Sequence, residues 1–213
     1  QKQAKQRLTG LALKHRITRA EELKAKAYIS AKQVADVQLE KQTSFYIDTI
    51  HESYKEATAE SIIRDAQTSV KKGHEFKQLS TKSVENILNS HWKGSNYSKR
   101  LWGDTEALAK RLEELFTVEA LTGMSEFKMA QAIASEFDRS INVARRLIRT
   151  EANYMANQGK LKAWQSRGIE KYQIVAILDL KTSEICQYQD HKVYLIKDAK
   201  VSINMPPFHP WCR

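Results

Sequence analysis

Polar and apolar positions along this chain keep a helical period for most of its length and change period only near the end. From Gln3 to about Lys41 the sequence is rich in Ala, Leu, Lys, Gln and Glu, all good helix formers. Its apolar positions (Leu8, Leu11, Ala12, Ile17, Leu23, Ala27, Tyr28, Val34, Val37) make only a thin stripe. A helix so polar leans on a partner or projects into solvent. Residues 42–70 continue with Phe45, Ile47, Ile50, Tyr54, Ala57, Ile62, Ala66 and Val70, better spaced for burial on one face. The pattern breaks at Lys72-Gly73, and Thr81 to Leu88 reads as a short helix. Asp104 is suited to cap a helix through about Ala120, Ser125 caps a second, and Asp138 or Ser140 starts a third that runs to about Gly159.

Beyond Gly168 the period falls to two. Tyr172, Ile174, Ala176 and Leu178 alternate with Gln173, Val175 and Ile177, which predicts a strand buried on both faces or nearly so. Residues 179–182 read as a turn and 192–196 as a second strand. The fold class predicted is α+β, a mostly helical body with a small β-containing carboxy-terminal cap. The domain reading is an extended helical amino-terminal region over 1–75 and a second domain over 76–213, made of a helical block (76–167) and the β cap (168–213). Seven glycines and three prolines agree with long helices, since the prolines, Pro206, Pro207 and Pro210, all crowd at the end.

Composition narrows the class. A chain of 213 residues can bury a core without covalent staples, and two cysteines fit a reducing compartment. No stretch reaches the roughly twenty apolar residues of a membrane span, and the amino terminus lacks a leader-like pattern, so synthesis in the cytosol is expected. Lys and Arg number 35 against 25 acids, a net charge of +10, which favours a polyanionic partner. The charges are intermixed with acids through the helices, so a solvated helical face competes with a DNA footprint.

Candidate chemistry gathers in the last residues. Cys186-x4-His191 and His209-x2-Cys212 bring two thiols and two imidazoles onto short segments that one zinc ion could join. The alternative is a pair of reduced, half-buried cysteines and two surface histidines. On the third predicted helix Ala144, Leu147, Ile148, Met155 and Leu161 share one stripe with Glu151. A carboxylate there needs an arginine or a metal opposite, unless it reaches solvent over the rim. Trp92 and Trp102, in a Gly/Ser/Asn-rich stretch, read as anchors onto a core, with base stacking as the sharper alternative. DNA-contacting residues cannot be picked out individually.

Five blocks carry a resemblance: Trp92-Lys-Gly-Ser-Asn-Tyr-Ser-Lys-Arg-Leu-Trp102; Gly123-Met-Ser125; Arg149-Thr-Glu151 followed by Gly159 and Trp164; Asp179-Leu-Lys-Thr-Ser-Glu-Ile-Cys186; and Pro206-Pro-Phe-His-Pro-Trp-Cys-Arg213. In this order they resemble the phage Mu F-like minor head proteins of tailed bacteriophages and prophages. The resemblance implies a non-enzymatic virion component of the capsid interior that acts in head morphogenesis. It further implies association with the portal protein and packaged double-stranded DNA, and delivery with the genome in some relatives. It also suggests a structural clasp of Arg149, Glu151, Asp179 and Arg213, in which the proline-restricted end docks on the turn between the strands. Relatives often have Cys-x-x-Cys where this chain has Ser183 and Cys186, and often end in Cys-Arg-Cys where it stops at Arg213. Both departures remove a thiol from the possible zinc set of Cys186, His191, His209 and Cys212, and the abrupt end suggests a fragment of a longer chain. The competing class is a metal-dependent nuclease, or another phage-delivered enzyme, using Glu151, Asp179, His191 and His209.

Overall fold

The computed structural model describes residues 2–68 and 76–212, with side chains from residue 9 onward except at 126. The break expected at Lys72-Gly73, together with Arg213, lies outside them. Helix α1 spans Lys2–Gln67, α2 Thr81–Asn89, α3 Tyr97–Thr122, α4 Glu126–Ser166 and α5 Glu184–Gln189. Strands β1 (Lys171–Gln173) and β2 (Val193–Leu195) form the sheet, and a single 3-10 turn follows at Ile196–Asp198. The architecture is mostly helical α+β, as the periodicity indicates.

Two compact units divide the chain, one of residues 1–40 and 98–145, the other of 41–97 and 146–213. In the first unit α3 ends where Gly123 takes a φ of +66°, a conformation that favours glycine, and its amide closes on the Glu119 carbonyl at 2.8 Å. A Cβ at Gly123 would lie 2.6 Å from the Arg16 guanidinium. Ser125 caps α4 through its side chain to the Lys128 amide. Glu136 accepts from both Arg111 of α3 and Arg139 one turn on. The buried apolar side chains of this unit are few and small, chiefly Ala20, Ala35, Leu101, Leu112, Ala120 and Met129.

The second unit has the larger core. Gln42, Tyr46, Ile50, Tyr54, Ala57 and Ser61 of α1 are buried at steps of three and four, one continuous stripe. The expected Ile50, Tyr54 and Ala57 lie on that stripe, but Tyr46 takes the inner place expected of Phe45, which is half exposed. Tyr54 and Ala57 pack with Ala163 of α4. Contact is closest at Gly159, where an added Cβ would sit 2.5 Å from the Ile50 carbonyl oxygen and 3.3 Å from the Ser53 Cβ. Arg167 closes the end of this seam, bonded to Asp65 and to Ser61.

Three boundaries differ from the sequence reading. Tyr97 rather than Asp104 begins α3, and α4 runs unbroken through Asp138 and Ser140, because nothing there removes a backbone donor or demands positive φ. The first strand is short: β1 pairs antiparallel with β2 as Lys171↔Leu195, Tyr172↔Tyr194 and Gln173↔Val193. Residues 174–178 carry no regular secondary structure, and Tyr172 and Ile174 are buried while Val175, Ile177 and Leu178 are exposed. The segment therefore has one inner face, set by period-two alternation, and its outer face is open. Beneath it Leu161, Tyr172, Ile174, Cys186, Ile196, Met205, Phe208 and Cys212 form one apolar cluster, with Trp164 and Tyr194 against it.

Gly159→Ala tests the close helix seam. Alanine is the better helix former by about 1 kcal/mol, but overpacking against a backbone oxygen costs typically about 1–3 kcal/mol. Net destabilisation in thermal or urea unfolding is expected, and a stabilised variant would show that the two helices separate there at no cost.

Candidate functional site

The site grows from one turn of α4. Thr150 and Glu151 are buried and Asn153 is partly so, each directed to a different segment. Glu151 is 1% exposed, and its Oε2 accepts the Trp92 indole N–H at 3.0 Å. The Trp92 ring stacks on Tyr154 at 5.1 Å between centroids and 12° between planes, and the Tyr154 hydroxyl donates to Ser90 at 2.8 Å. A tight turn at Lys93 and Gly94, both with positive φ, reverses the chain there and presents the indole. Trp92 is thus an anchor onto the core. Burial, with the Glu151 charge next, raises the pKa of nearby Tyr46 and keeps its phenol protonated.

The same turn holds the carboxy-terminal segment. Trp211 N–H donates to Thr150 Oγ1 at 3.1 Å, Asn153 Nδ2 donates to the Cys212 carbonyl at 2.7 Å, and Lys93 Nζ reaches the Phe208 carbonyl at 3.2 Å. Phe208 and Cys212 are buried and Pro207 is fully so. Residues 206–212 are therefore a docked strap.

Around this strap the sequence candidates separate. Cys186, His209 and Cys212 converge, with ligand atoms all within 4.8 Å of one another. Cys186 Sγ lies 3.7 Å from Cys212 Sγ and 3.1 Å from His209 Nε2. Burial pushes the Cys212 thiol up to about 11, opposed by the Phe208 backbone and supported by the neighbouring Cys186. His191 stands outside: its side chain is 75% exposed and meets Asp190 at 3.4 Å. Asp179 Oδ1 accepts from Lys181 N at 2.8 Å and Thr182 Oγ1 at 3.1 Å, closing its own turn. Arg149 is exposed on α4 and makes no ion pair among the described residues. Arg213, expected opposite Glu151, lies outside the described residues.

Ser183, Asn153 and Thr150 were not singled out from the sequence. Ser183 caps α5, accepting from the Cys186 amide at 3.3 Å, and its Oγ is 2.8 Å from His209 Nε2. A serine followed by an acid, Ser183-Glu184, is an N-cap signal that could have marked it. Nothing comparable marks Asn153, whose partner is a backbone carbonyl remote in sequence.

A long-helical chain whose end is strapped to α4 beneath a two-stranded cap is the class of protein defined here. Residues 104–213 match the family described as phage Mu protein F like protein, more than half of the chain, and the chain belongs to that family, whose members are phage head proteins. No curated protein and no solved structure matches it.

Trp92→Phe keeps the stacked ring and removes the N–H given to Glu151. Loss of a hydrogen bond to a buried charge costs about 1.5–3 kcal/mol, and Glu151→Gln in the same chain should lose less than the two single changes added together. Urea unfolding of the three variants reads this, and strict additivity would show that the pair is not coupled. Removing 206–213 should destabilise by more than about 3 kcal/mol, because the cluster loses Phe208 and Cys212. An unchanged melting temperature would show the strap to be a free tail.

Proposed function

We propose that this phage head protein works in head morphogenesis on the inner side of the capsid, next to the portal protein, and contacts packaged double-stranded DNA without reading its sequence. The observation that carries the DNA part is the surplus of 35 basic over 25 acidic residues. Arg146 and Arg149 fit it, being exposed on α4 and without ion pairs among the described residues. A cation that meets a phosphate releases condensed counterions, so such contacts need no base edges. Support for protein partners comes from the first unit, where Leu11, Ile29, Val34, Val37, Leu121 and Phe127 are each more than half exposed. Large apolar side chains in such number are what an assembly interface would cover. No helix of the described residues is long and apolar enough to cross a membrane.

The hydrolase alternative has less to stand on. Glu151 is engaged by Trp92, Asp179 by its own turn and His191 by Asp190, so these groups do not join His209 in one constellation.

Fluorescence anisotropy with unrelated duplexes over a salt series checks the reading. If about four phosphates are neutralised, affinity falls roughly 100-fold between about 50 and 200 mM salt, equally for all sequences. Strong preference for one duplex, or binding indifferent to salt, would sink it. Plasmid incubated with divalent metal should stay intact, and nicking would return the hydrolase reading.

A further inference from the structure

We propose that Cys186, His209 and Cys212 bind a single soft divalent cation of the zinc and cobalt class, with a water beside the Ser183 hydroxyl at the fourth position, and that this ion locks the strap to α5. The site is independent of DNA and of head assembly.

Spacing is the first argument. Two thiolates about 2.3 Å from a tetrahedral zinc lie about 3.8 Å apart, and the sulfurs of Cys186 and Cys212 are 3.7 Å apart. A disulfide between them would need a separation of about 2.05 Å, so the pair is set at the distance of ligands rather than of bonded sulfurs. His209 Nε2, 3.1 Å from Cys186 Sγ, completes a three-atom face.

The histidine is also held in the required tautomer. Its Nδ1 lies 2.6 Å from the Pro210 carbonyl oxygen, which can only accept, so Nδ1 carries the proton. Nε2 then carries the lone pair and faces Cys186 Sγ and Ser183 Oγ, whose hydroxyl it can accept from until an ion takes that place. A backbone carbonyl that orients the far nitrogen is the usual support of a ligating imidazole.

The cysteines are supported in the same way. Cys212 is fixed through its carbonyl by Asn153, and Cys186 through its amide by Ser183, so the ligands are positioned before any ion arrives. Beside them a cleft of about 20 Å³, lined in part by Ser183, Cys186, His209 and Trp211, has room for about one water. It provides an entry and a fourth ligand. Two thiolates and an imidazole select zinc-like ions over magnesium or calcium, which prefer oxygen. A water in the fourth corner is a weak ligand, so the ion exchanges more readily than from a four-thiolate cage.

The test uses the full chain, reduced, stripped with chelator and titrated with cobalt(II). Saturation is expected at about one ion per chain, with the near-ultraviolet thiolate-to-cobalt band and the intense visible bands of tetrahedral coordination. Zinc should displace the cobalt, and the melting temperature should rise on loading. Cys186→Ser and Cys212→Ser should lose the thiolate band, and His209→Ala should weaken binding by at least about tenfold. His191→Ala should bind as the parent does. Ser183→Cys, which adds a fourth thiolate, should tighten binding by at least tenfold, and this gain does not depend on a weakened variant folding. The proposal is overturned by a parent chain with two titratable thiols and no cobalt band, by loss of the band in His191→Ala, or by no gain in Ser183→Cys. DNA affinity of the stripped and loaded forms should be equal, so the two readings fail separately.

Discussion

A carboxylate buried on the inner face of a helix constrains everything near it. Glu151 is almost wholly removed from water, a state that costs several kcal/mol unless donors replace the lost hydration. Trp92 is such a donor, and to deliver its indole the chain must reverse at Lys93 and Gly94, with the ring laid on Tyr154. Thr150 and Asn153, on either side of Glu151, hold the strap through Trp211 and Cys212. One helical turn thus joins two irregular segments of its unit, and each contact is made more exacting by the cost of leaving Glu151 unanswered.

The seam between α1 and α4 is set by a different limit. Gly159 lets a backbone carbonyl come closer than any Cβ permits, and Ala57, Ala163 and Ser61 keep the surrounding surface low. Small residues bury little apolar area of their own, so the seam gains chiefly from dispersion at short range and from the aromatic rings, Tyr46 and Tyr54, packed along it. The second unit can therefore hold a polar turn of α4 in a fixed geometry, which the strap and its cysteines require.

Helices were legible because their signal is local. The long proline-free run, the Gly123 stop and the Ser125 cap are each decided within a few residues, and the structure agrees with them. The division of α4 at Asp138 was not supported, since a residue able to cap a helix is equally able to face solvent within one. The strand was overextended for a related reason: β-branched residues at 174–178 satisfy period two, but a ladder needs a partner, and β2 supplies only three residues. Glu151 was conspicuous as a charge on an apolar stripe, while its donor lay 59 residues away in a loop and carried no sign of the pairing. Likewise the spacing of cysteines and histidines marked the right region. It could not tell that a loop turns His191 to solvent and brings Ser183 to His209 instead.

Uneven burial carries the last step of the argument from structure to assembly. In the second unit aromatic and aliphatic side chains of full size are buried around α4 and under the cap, whereas half of the buried apolar residues named for the first unit are alanines. At about 25 cal/mol per Å² the first unit gains far less from its own folding, yet it must order residues in long helices at a backbone cost of about 1–2 kcal/mol each. Its exposed Leu, Ile, Val and Phe side chains represent burial not yet realised within the chain. Burial of that apolar surface by a partner would add the hydrophobic stabilisation that the first unit's own small core does not supply. The strapped second unit, by contrast, has a core of its own, in which Phe208 and Cys212 of the strap are buried with Leu161, Tyr172 and Ile174.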